Sequence, residues 1–266
     1  MRASEAQVVY QSALRRASQF WSSSSIVMLQ RFRQAGLIWP TLWLVPALAL
    51  APGCGKPTGS VDAGPVPFDA GPSPYHLDGV LRLNHVQAKG THNSYHVQNS
   101  KPVDPSHRYT QASLETQLET QGIRQLELDI HYRVDGGFQV FHLPILDDLS
   151  TCKQFTDCLT QIKSWSDRHP WHLPLTIWIE PKDEDADFLD NALVPLDGRF
   201  GELEQTILSI WPRERILTPD DVRGSYPDLP SAIRAQGWPT LGQLRRRVLF
   251  AMLDSGKHRA EYTADG

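Results

Sequence analysis

Cysteine is scarce in this chain of 266 residues, which contains three. Three cysteines cannot build a disulfide-rich scaffold, and Cys54, Cys152 and Cys158 match no spacing of four zinc ligands. A basic excess is also missing, because 26 Lys and Arg face 30 Asp and Glu and no long basic block occurs. The composition therefore argues against a structural zinc site and against a nucleic-acid partner.

A run of apolar residues long enough to cross a membrane is missing too. One uncharged stretch, residues 36–51, is about 16 residues long, whereas a spanning helix needs about 20. It follows Arg31 and Arg33 and ends in small residues, which is typical of an export signal. Such signals begin near the initiator, so we expect Met28 rather than Met1 to be the start.

Residues 51–54, Ala-Pro-Gly-Cys, resemble the lipobox of bacterial lipoproteins, in which the cysteine after the cleavage site carries a lipid. This resemblance implies an exported protein that is anchored to a membrane through a lipid on Cys54. The alternative is an ordinary secretory signal and an incidental Cys54. We expect a signal region over residues 1–53, a flexible Pro- and Gly-rich tether over 54–76, and a folded part over 77–266.

Lipidation of Cys54 would leave two other cysteines. Cys152 and Cys158 lie six residues apart, where a small loop can close a disulfide in an oxidising compartment. The alternative is a pair of reduced cysteines in the core.

From about Leu77 onward, short apolar runs alternate with segments of helical period. This alternation predicts repeated β-α units and a parallel sheet, with no internal repeat and no second domain. We predict six strands, over residues 86–88, 123–130, 138–141, 175–179, 215–217 and 248–253. We predict helices over residues 113–121, 150–167, 200–210 and 241–244.

Polar side chains gather where the predicted strands end. They are His92 and Asn93 after the first strand, Glu127 and Asp129 on the second, His142 after the third, and Glu180 at the end of the fourth. Glu127 and Asp129 share one face, because alternate residues of a strand point to the same side. A parallel α/β barrel builds its active site at this end of its strands.

Three carboxylates repel one another and are costly to desolvate, so a bound cation is a natural reason to gather them beside an Asn amide. All-oxygen ligation favours Ca²⁺ or Mg²⁺ over a transition metal. Two histidines beside such an ion suit phosphodiester cleavage, because imidazole moves protons near neutral pH. The alternative is that Glu127 and Asp129 cap a helix or pair with Arg, and that each histidine is structural.

Five segments of the chain carry more specific patterns: GTHNSYH, SLETQLETQGIRQLELDIHY, DGGFQVFH, LTIWIEPKD and WPTLGQLRRRVLFAMLD. Together they resemble the bacterial calcium-dependent phosphoinositide-specific phospholipase C family, relatives of the eukaryotic phosphoinositide phospholipase C barrel. The resemblance implies a (β/α)8 barrel of TIM type that binds Ca²⁺. It would make the calcium ligands Asn93, Glu127, Asp129 and Glu180.

The same resemblance implies roles for the two histidines. His92 would stabilise the phosphorane or assist the attacking 2-hydroxyl, and His142 would be the general acid for the diacylglycerol leaving group. A ligand carboxylate can also act as the base, so the identity of the base stays open. Lys182 would contact a substrate phosphate or be a solvated loop charge. We expect the remaining histidines with no family counterpart to be surface or packing residues: His85, His96, His131, His169 and His172.

The chain is short for a complete barrel. A closed barrel takes roughly 250 residues, whereas residues 77–266 supply about 190. The last predicted strand ends near Leu253, so we expect a barrel truncated after about six strands.

We therefore expect an exported enzyme that cleaves phosphatidylinositol-type lipids at a membrane surface, and we infer no protein partner. One alternative is a glycerophosphodiester phosphodiesterase, which also has a Glu-x-Asp pair and a stretch like DGGFQVFH. GTHNSYH favours the phospholipase, since the rival has His-Arg-Gly after its first strand. Another alternative is a surface lipoprotein that keeps a barrel remnant without catalysis.

Overall fold

The computed structural model describes residues 26–28, 73–182 and 192–264. Cys54 lies outside the described residues, as do most of the predicted signal region and tether. None of the described helices is long and apolar enough to cross a membrane.

The described part of the chain contains seven strands and seven α-helices. The strands are β1 (Ile26–Met28), β2 (Lys89–Gly90), β3 (Ile123–Arg133), β4 (Phe138–Val140), β5 (Leu175–Pro181), β6 (Leu193–Val194) and β7 (Val248–Leu253). The helices are α1 (Leu114–Glu119), α2 (Phe155–Arg168), α3 (Phe200–Ile210), α4 (Pro219–Arg223), α5 (Leu229–Gln236), α6 (Leu241–Leu244) and α7 (Lys257–Ala264). Short 3₁₀ helices cover Leu83–His85, Pro105–His107 and Arg213–Arg215.

All seven strands belong to one sheet, whose main path has the order β1-β7-β5-β3-β2. β2, β3, β5 and β7 are parallel, which confirms the predicted parallel α/β arrangement. β1 pairs antiparallel with β7, while β4 and β6 pair antiparallel with the end of β3. Within the described residues the sheet does not close into a barrel.

One face of the sheet packs against helices because apolar residues alternate along its central strands. On β5, Leu175, Ile177 and Ile179 are buried, while the residues between them are half-buried. Helix α2 packs Leu159 and Ile162 into the same core. Burying a large aliphatic side chain contributes about 1.5–3 kcal/mol, and a one-residue slip would reverse the two faces. This core therefore fixes the register that places polar residues on the opposite face.

β4 is not a further parallel strand of the barrel. Asp135 begins a tight turn in which Gly136 and Gly137 have φ values of 91° and 85°, a region that favours glycine. The turn folds Phe138–Val140 back onto β3 as an antiparallel hairpin. The sequence predicted this strand, and its short connection to β3, but did not predict its direction.

Two predicted strands were wrong. The first strand covers Lys89–Gly90 rather than residues 86–88, and its Lys89 pairs with Ile123, the first residue of β3. In the stretch predicted over 215–217, Ile216 forms an isolated bridge to Val248, because the 3₁₀ helix Arg213–Arg215 comes directly before it. Helices α4, α5 and α7 were not predicted.

Candidate active site

The loop after β2 is tied closely to β3. Gly90 lies so near the side chain of Gln125 that a Cβ at this position would stand 1.8 Å from Gln125 Oε1. A larger residue at this position would therefore displace the Gln125 side chain. Farther along, the backbone N–H of Ser94 donates to the Glu127 carbonyl at 3.0 Å, and the Glu127 N–H donates to Ser94 Oγ at 2.8 Å. These bonds hold residues 91–94 against the strand that carries the carboxylates.

Asn93 occupies the turn of this loop with a φ of 44°, a left-handed conformation that Asn tolerates better than most residues. Its side chain is buried, and the hydroxyl of Tyr95 donates to Asn93 Oδ1 at 3.3 Å. The Asn93 backbone also lowers the pKa of Glu127, although burial of that carboxylate outweighs this effect. The amide thus lies beside the carboxylates predicted to share a cation with it.

Three carboxylates form what we call the acidic cluster: Glu127 and Asp129 on β3 and Glu180 on β5. The parallel register pairs Asp129 directly with Glu180. One carboxylate oxygen from each of the three lies within 4.8 Å of the others. Glu127 is 4% exposed and Asp129 is fully buried. The structure therefore brings together the three predicted acidic ligands.

The acidic cluster is electrostatically strained in the absence of a cation. Burial, followed by repulsion from Asp129 and Glu180, raises the pKa of Glu127 to about 8. Burial raises the pKa of Asp129 to about 7 even though the Lys182 charge opposes the shift. Glu127 Oε1 and both Asp129 oxygens are buried without a hydrogen bond of good geometry to a described residue. Oxygens in this state are available to a cation.

Lys182 is the ammonium group closest to these carboxylates. Its Nζ lies 2.7 Å from Glu180 and 3.2 Å from Asp129, and its side chain is mostly buried. Burial lowers the pKa of Lys182, but the charges of Asp129 and Glu180 outweigh burial and raise it overall. In this structure Lys182 is a counter-ion of the acidic cluster, and its contact with a substrate phosphate stays a prediction.

The donor set fits a hard divalent cation. Asn93, Glu127, Asp129 and Glu180 offer oxygen atoms, with no sulfur or imidazole ligand among them, and oxygen ligation is what Ca²⁺ and Mg²⁺ prefer. Three acidic residues around one lysine leave a charge that a divalent ion would compensate. These four residues are the ones that would hold Ca²⁺.

His92 stands at the edge of the acidic cluster. Its Nε2 lies 3.5 Å from Glu127 Oε1, and its side chain is 75% exposed. The Gln111 side chain donates to the His92 carbonyl at 2.9 Å, which fixes the backbone beneath the ring. Partial loss of hydration lowers the pKa of His92, and the charges of His142 and Lys182 act in the same direction. The charge of Glu180 opposes this shift. An exposed imidazole is thus presented to solvent beside a carboxylate.

His142 belongs to a second group, which we call the imidazole cluster: His96, His107, His142 and Asp147. Asp147 lies at its centre with 1% of its side chain exposed. Its Oδ2 is 2.8 Å from His142 Nδ1, 2.9 Å from His96 Nε2 and 3.5 Å from His107 Nδ1. His107, His142 and Asp147 also have the spacing of a metal site, but hydrogen bonds to His142 and His96 already engage the Asp147 oxygens.

Sequence patterns did not single out Asp147 or His107. His96, expected to be a surface or packing residue, is fully buried and has a hydrogen-bond partner at both ring nitrogens. The two aspartates that follow His142 within six residues, Asp147 and Asp148, were the available signal. A disulfide joins Cys152 and Cys158 at the start of α2, with Cα atoms 5.2 Å apart.

Comparison with solved structures supports the fold. A calcium-dependent phosphoinositol-specific phospholipase C from a Pseudomonas species, in its apo form, matches with a TM-score of 0.52 and 19% identity. The match covers 72% of this chain and 64% of that protein, so this chain spans less than two thirds of it. A second crystal form of the same enzyme gives a TM-score of 0.51, 19% identity, and coverage of 71% and 64%. The comparison supports the predicted α/β fold class of TIM-barrel type.

A phosphatidylinositol-specific phospholipase C from Streptomyces antibioticus is 24% identical, with a TM-score of 0.44 over 61% of this chain and 50% of that one.

No curated protein sequence matches this chain. The family model described as phosphoinositide phospholipase C, Ca²⁺-dependent, matches residues 81–138 and 134–266. These residues are well over half of the chain and include the acidic cluster and both predicted catalytic histidines. The chain therefore belongs to the Ca²⁺-dependent phosphoinositide phospholipase C family.

Proposed function

We propose that this protein is a calcium-dependent phosphodiesterase that cleaves phosphatidylinositol-type lipids into diacylglycerol and an inositol phosphate. The observation that carries this proposal is the acidic cluster, whose buried oxygens lack good hydrogen bonds. One of these oxygens, Glu127 Oε1, lies 3.5 Å from Nε2 of the exposed His92. An oxygen-rich cation site beside an open imidazole is suited to an anionic ester substrate.

Asn93, Glu127, Asp129 and Glu180 hold Ca²⁺ in this proposal. The bound ion would screen the phosphate charge and acidify the attacking inositol hydroxyl. Before the ion binds, the ammonium group of Lys182 partly neutralises the site through Asp129 and Glu180. With Ca²⁺ held by these four residues, the ammonium group of Lys182 would be free to contact a phosphate oxygen of the substrate.

The two histidines move the protons. The inositol 2-hydroxyl oxygen attacks phosphorus, and its proton passes to a base, for which His92 and Glu127 are both placed. The bond between phosphorus and the diacylglycerol oxygen breaks, and that oxygen takes a proton from Nε2 of His142. A cyclic inositol phosphate is the direct product, and attack by water opens it to the free phosphate.

The loop after His142 suits a substrate embedded in a membrane. Ile145, Leu146 and Leu149 lie in this loop, and their side chains are 61%, 42% and 43% exposed. Clustered exposed apolar residues favour contact with lipid or protein surfaces. Next to the proposed general acid, they are placed to enter the lipid layer that holds the leaving group.

The proposed location is outside the cytoplasm, with a lipid on Cys54 or, failing that, as a secreted protein. The disulfide Cys152–Cys158 supports export, because disulfides persist in oxidising compartments. Mass spectrometry of the mature protein tests the route. An N-terminus at acylated Cys54, lost in Cys54→Ser, supports the anchor, whereas a free N-terminus at another residue of a soluble protein contradicts it.

Product analysis of the full chain tests the activity. We expect diacylglycerol from phosphatidylinositol vesicles with Ca²⁺, and no release in excess chelator. Cleavage of glycerophosphoinositol in place of the lipid would instead support a glycerophosphodiester phosphodiesterase. A folded protein that cleaves neither compound would support the lipoprotein without catalysis.

A further inference from the structure

The imidazole cluster holds a carboxylate that the proposed proton transfers do not use. Asp147 follows His142 by five residues, and the segment between them, residues 143–147, forms a tight turn. The Leu143 N–H donates to the Asp147 carbonyl, and the Asp147 N–H donates to the Leu143 carbonyl, both at 3.0 Å. Ile145, at the tip of this turn, has a left-handed φ of 65°. The turn brings the Asp147 carboxylate to the Nδ1 edge of the His142 ring.

The contact between Asp147 and His142 determines which ring nitrogen faces the substrate. His142 Nδ1 lies 2.8 Å from Asp147 Oδ2, and a carboxylate accepts hydrogen bonds. A proton therefore belongs on Nδ1 of His142. The remaining nitrogen, Nε2, is the one that can exchange a proton with a substrate.

His96 holds the carboxylate in place from the other side. Its Nδ1 lies 2.9 Å from the carbonyl oxygen of Tyr109, and its Nε2 lies 2.9 Å from both Asp147 oxygens. Each ring nitrogen of His96 thus has an oxygen partner, which fixes the orientation of the ring. The ring also stacks on Tyr109 with centroids 4.2 Å apart. Buried on all sides, His96 leaves Asp147 little freedom to rotate away from His142.

We propose that Asp147 is the positioning residue of His142, fixing its ring orientation and its Nδ1–H tautomer, and that His96 anchors Asp147 for this task. The proposal rests on the proposed function, in which His142 protonates the leaving oxygen. Asp147 itself gains no proton: His142 gives up the proton on Nε2 and keeps the proton on Nδ1. A buried ion pair adds little stability over packed apolar residues, so orientation is the gain that this arrangement offers.

Asp147→Asn in the full chain tests the proposal by the dependence of the rate on the leaving group. Loss of a properly oriented acid costs about 10²–10⁴-fold in kcat on phosphatidylinositol. A nitrophenyl phosphodiester of inositol has a leaving group that needs no proton, so its kcat should fall less than about tenfold. The exposed neighbour Asp148 gives the matched control Asp148→Asn, which should leave both rates unchanged. Equal losses on both substrates, or no loss on the lipid, would overturn the proposal.

Long-range ¹H–¹⁵N NMR of the histidine rings gives a second test that needs no activity and no variant. At a pH where His142 is neutral, the wild-type spectrum should show its proton on Nδ1. A proton on Nε2 would overturn the proposal, even if Asp147→Asn does not fold. If the wild type shows the Nδ1 proton but cleaves no phosphoinositide, the proposed function fails and the positioning role of Asp147 stands.

Discussion

The acidic cluster and the imidazole cluster lie in the same candidate site and have opposite electrostatic balances. In the acidic cluster three carboxylates share one ammonium group, and buried oxygens of Glu127 and Asp129 lack good hydrogen bonds. In the imidazole cluster one carboxylate serves several imidazoles, and its oxygens are engaged. In the proposed function the first cluster holds a cation, whereas the carboxylate of the second already has its hydrogen-bond partners within the chain. The difference separates a ligand-binding group from a positioning group.

The largest expected effect comes from replacing His92, beside the acidic cluster, or His142, in the imidazole cluster. Removing a general acid or base typically costs about 10²–10⁴-fold, so His92→Ala and His142→Ala should each lose that much kcat on phosphatidylinositol. A nitrophenyl leaving group should rescue His142→Ala and leave His92→Ala impaired. The exposed His85 gives the control His85→Ala, which should keep wild-type kcat. Equal rescue of both variants would show that the two roles are assigned wrongly.

The variant Lys182→Met tests whether the lysine of the acidic cluster competes with Ca²⁺ for the carboxylates. In the proposed site, Ca²⁺ would displace the Lys182 ammonium group from Asp129 and Glu180. Removal of that ammonium group should therefore tighten Ca²⁺ binding about tenfold, the equivalent of one hydrogen bond to a charged group. Isothermal titration calorimetry measures the change. The matched control is Lys163→Met, which removes a lysine paired with Asp167 on helix α2. Weaker Ca²⁺ binding in Lys182→Met would mean that Lys182 helps to hold the site.

The smallest effect is a pH dependence of stability without divalent ions. The folded state raises the pKa of Glu127 from 4.5 to about 8, so between these values it binds more protons than the unfolded chain. The free energy of unfolding therefore falls as pH rises through this window. In chelator we expect Tm to drop by roughly 4 °C or more between pH 5 and pH 8, with a smaller drop in Glu127→Gln. The same drop in Tm in the wild type and in Glu127→Gln would contradict the raised pKa of Glu127.

The sequence predicted the parallel core well because β3, β5 and β7 are apolar runs with clear ends. It did not predict helices α4 and α5, although Thr218 and Asp228 cap them and Pro219 begins α4. Both helices are short, and the capping residues were the available signal for α4, whereas α5 also carries the apolar residues Leu229, Ala232 and Ile233 at helical spacing. The direction of β4 depends on how its two-glycine turn folds, which the apolar pattern does not encode.

The acidic cluster was predictable for a related reason. Alternation along β3 places Glu127 and Asp129 on one face, and parallel pairing then brings Glu180 beside them. The imidazole cluster has no such regularity. His96 and Asp147 are 51 residues apart on two loops, and their contact depends on the turn between Leu143 and Asp147. The periodicity of apolar residues and the spacing of motifs do not predict such a contact between two loops.

Calorimetric titration of Ca²⁺ into the wild type and two variants tests most directly whether the acidic cluster binds the cation and the imidazole cluster does not. The wild type should bind Ca²⁺, Asp129→Asn should lose most of that binding, and Asp147→Asn should bind as the wild type does. A wild type that binds no Ca²⁺, unchanged binding in Asp129→Asn, or lost binding in a folded Asp147→Asn would contradict the account.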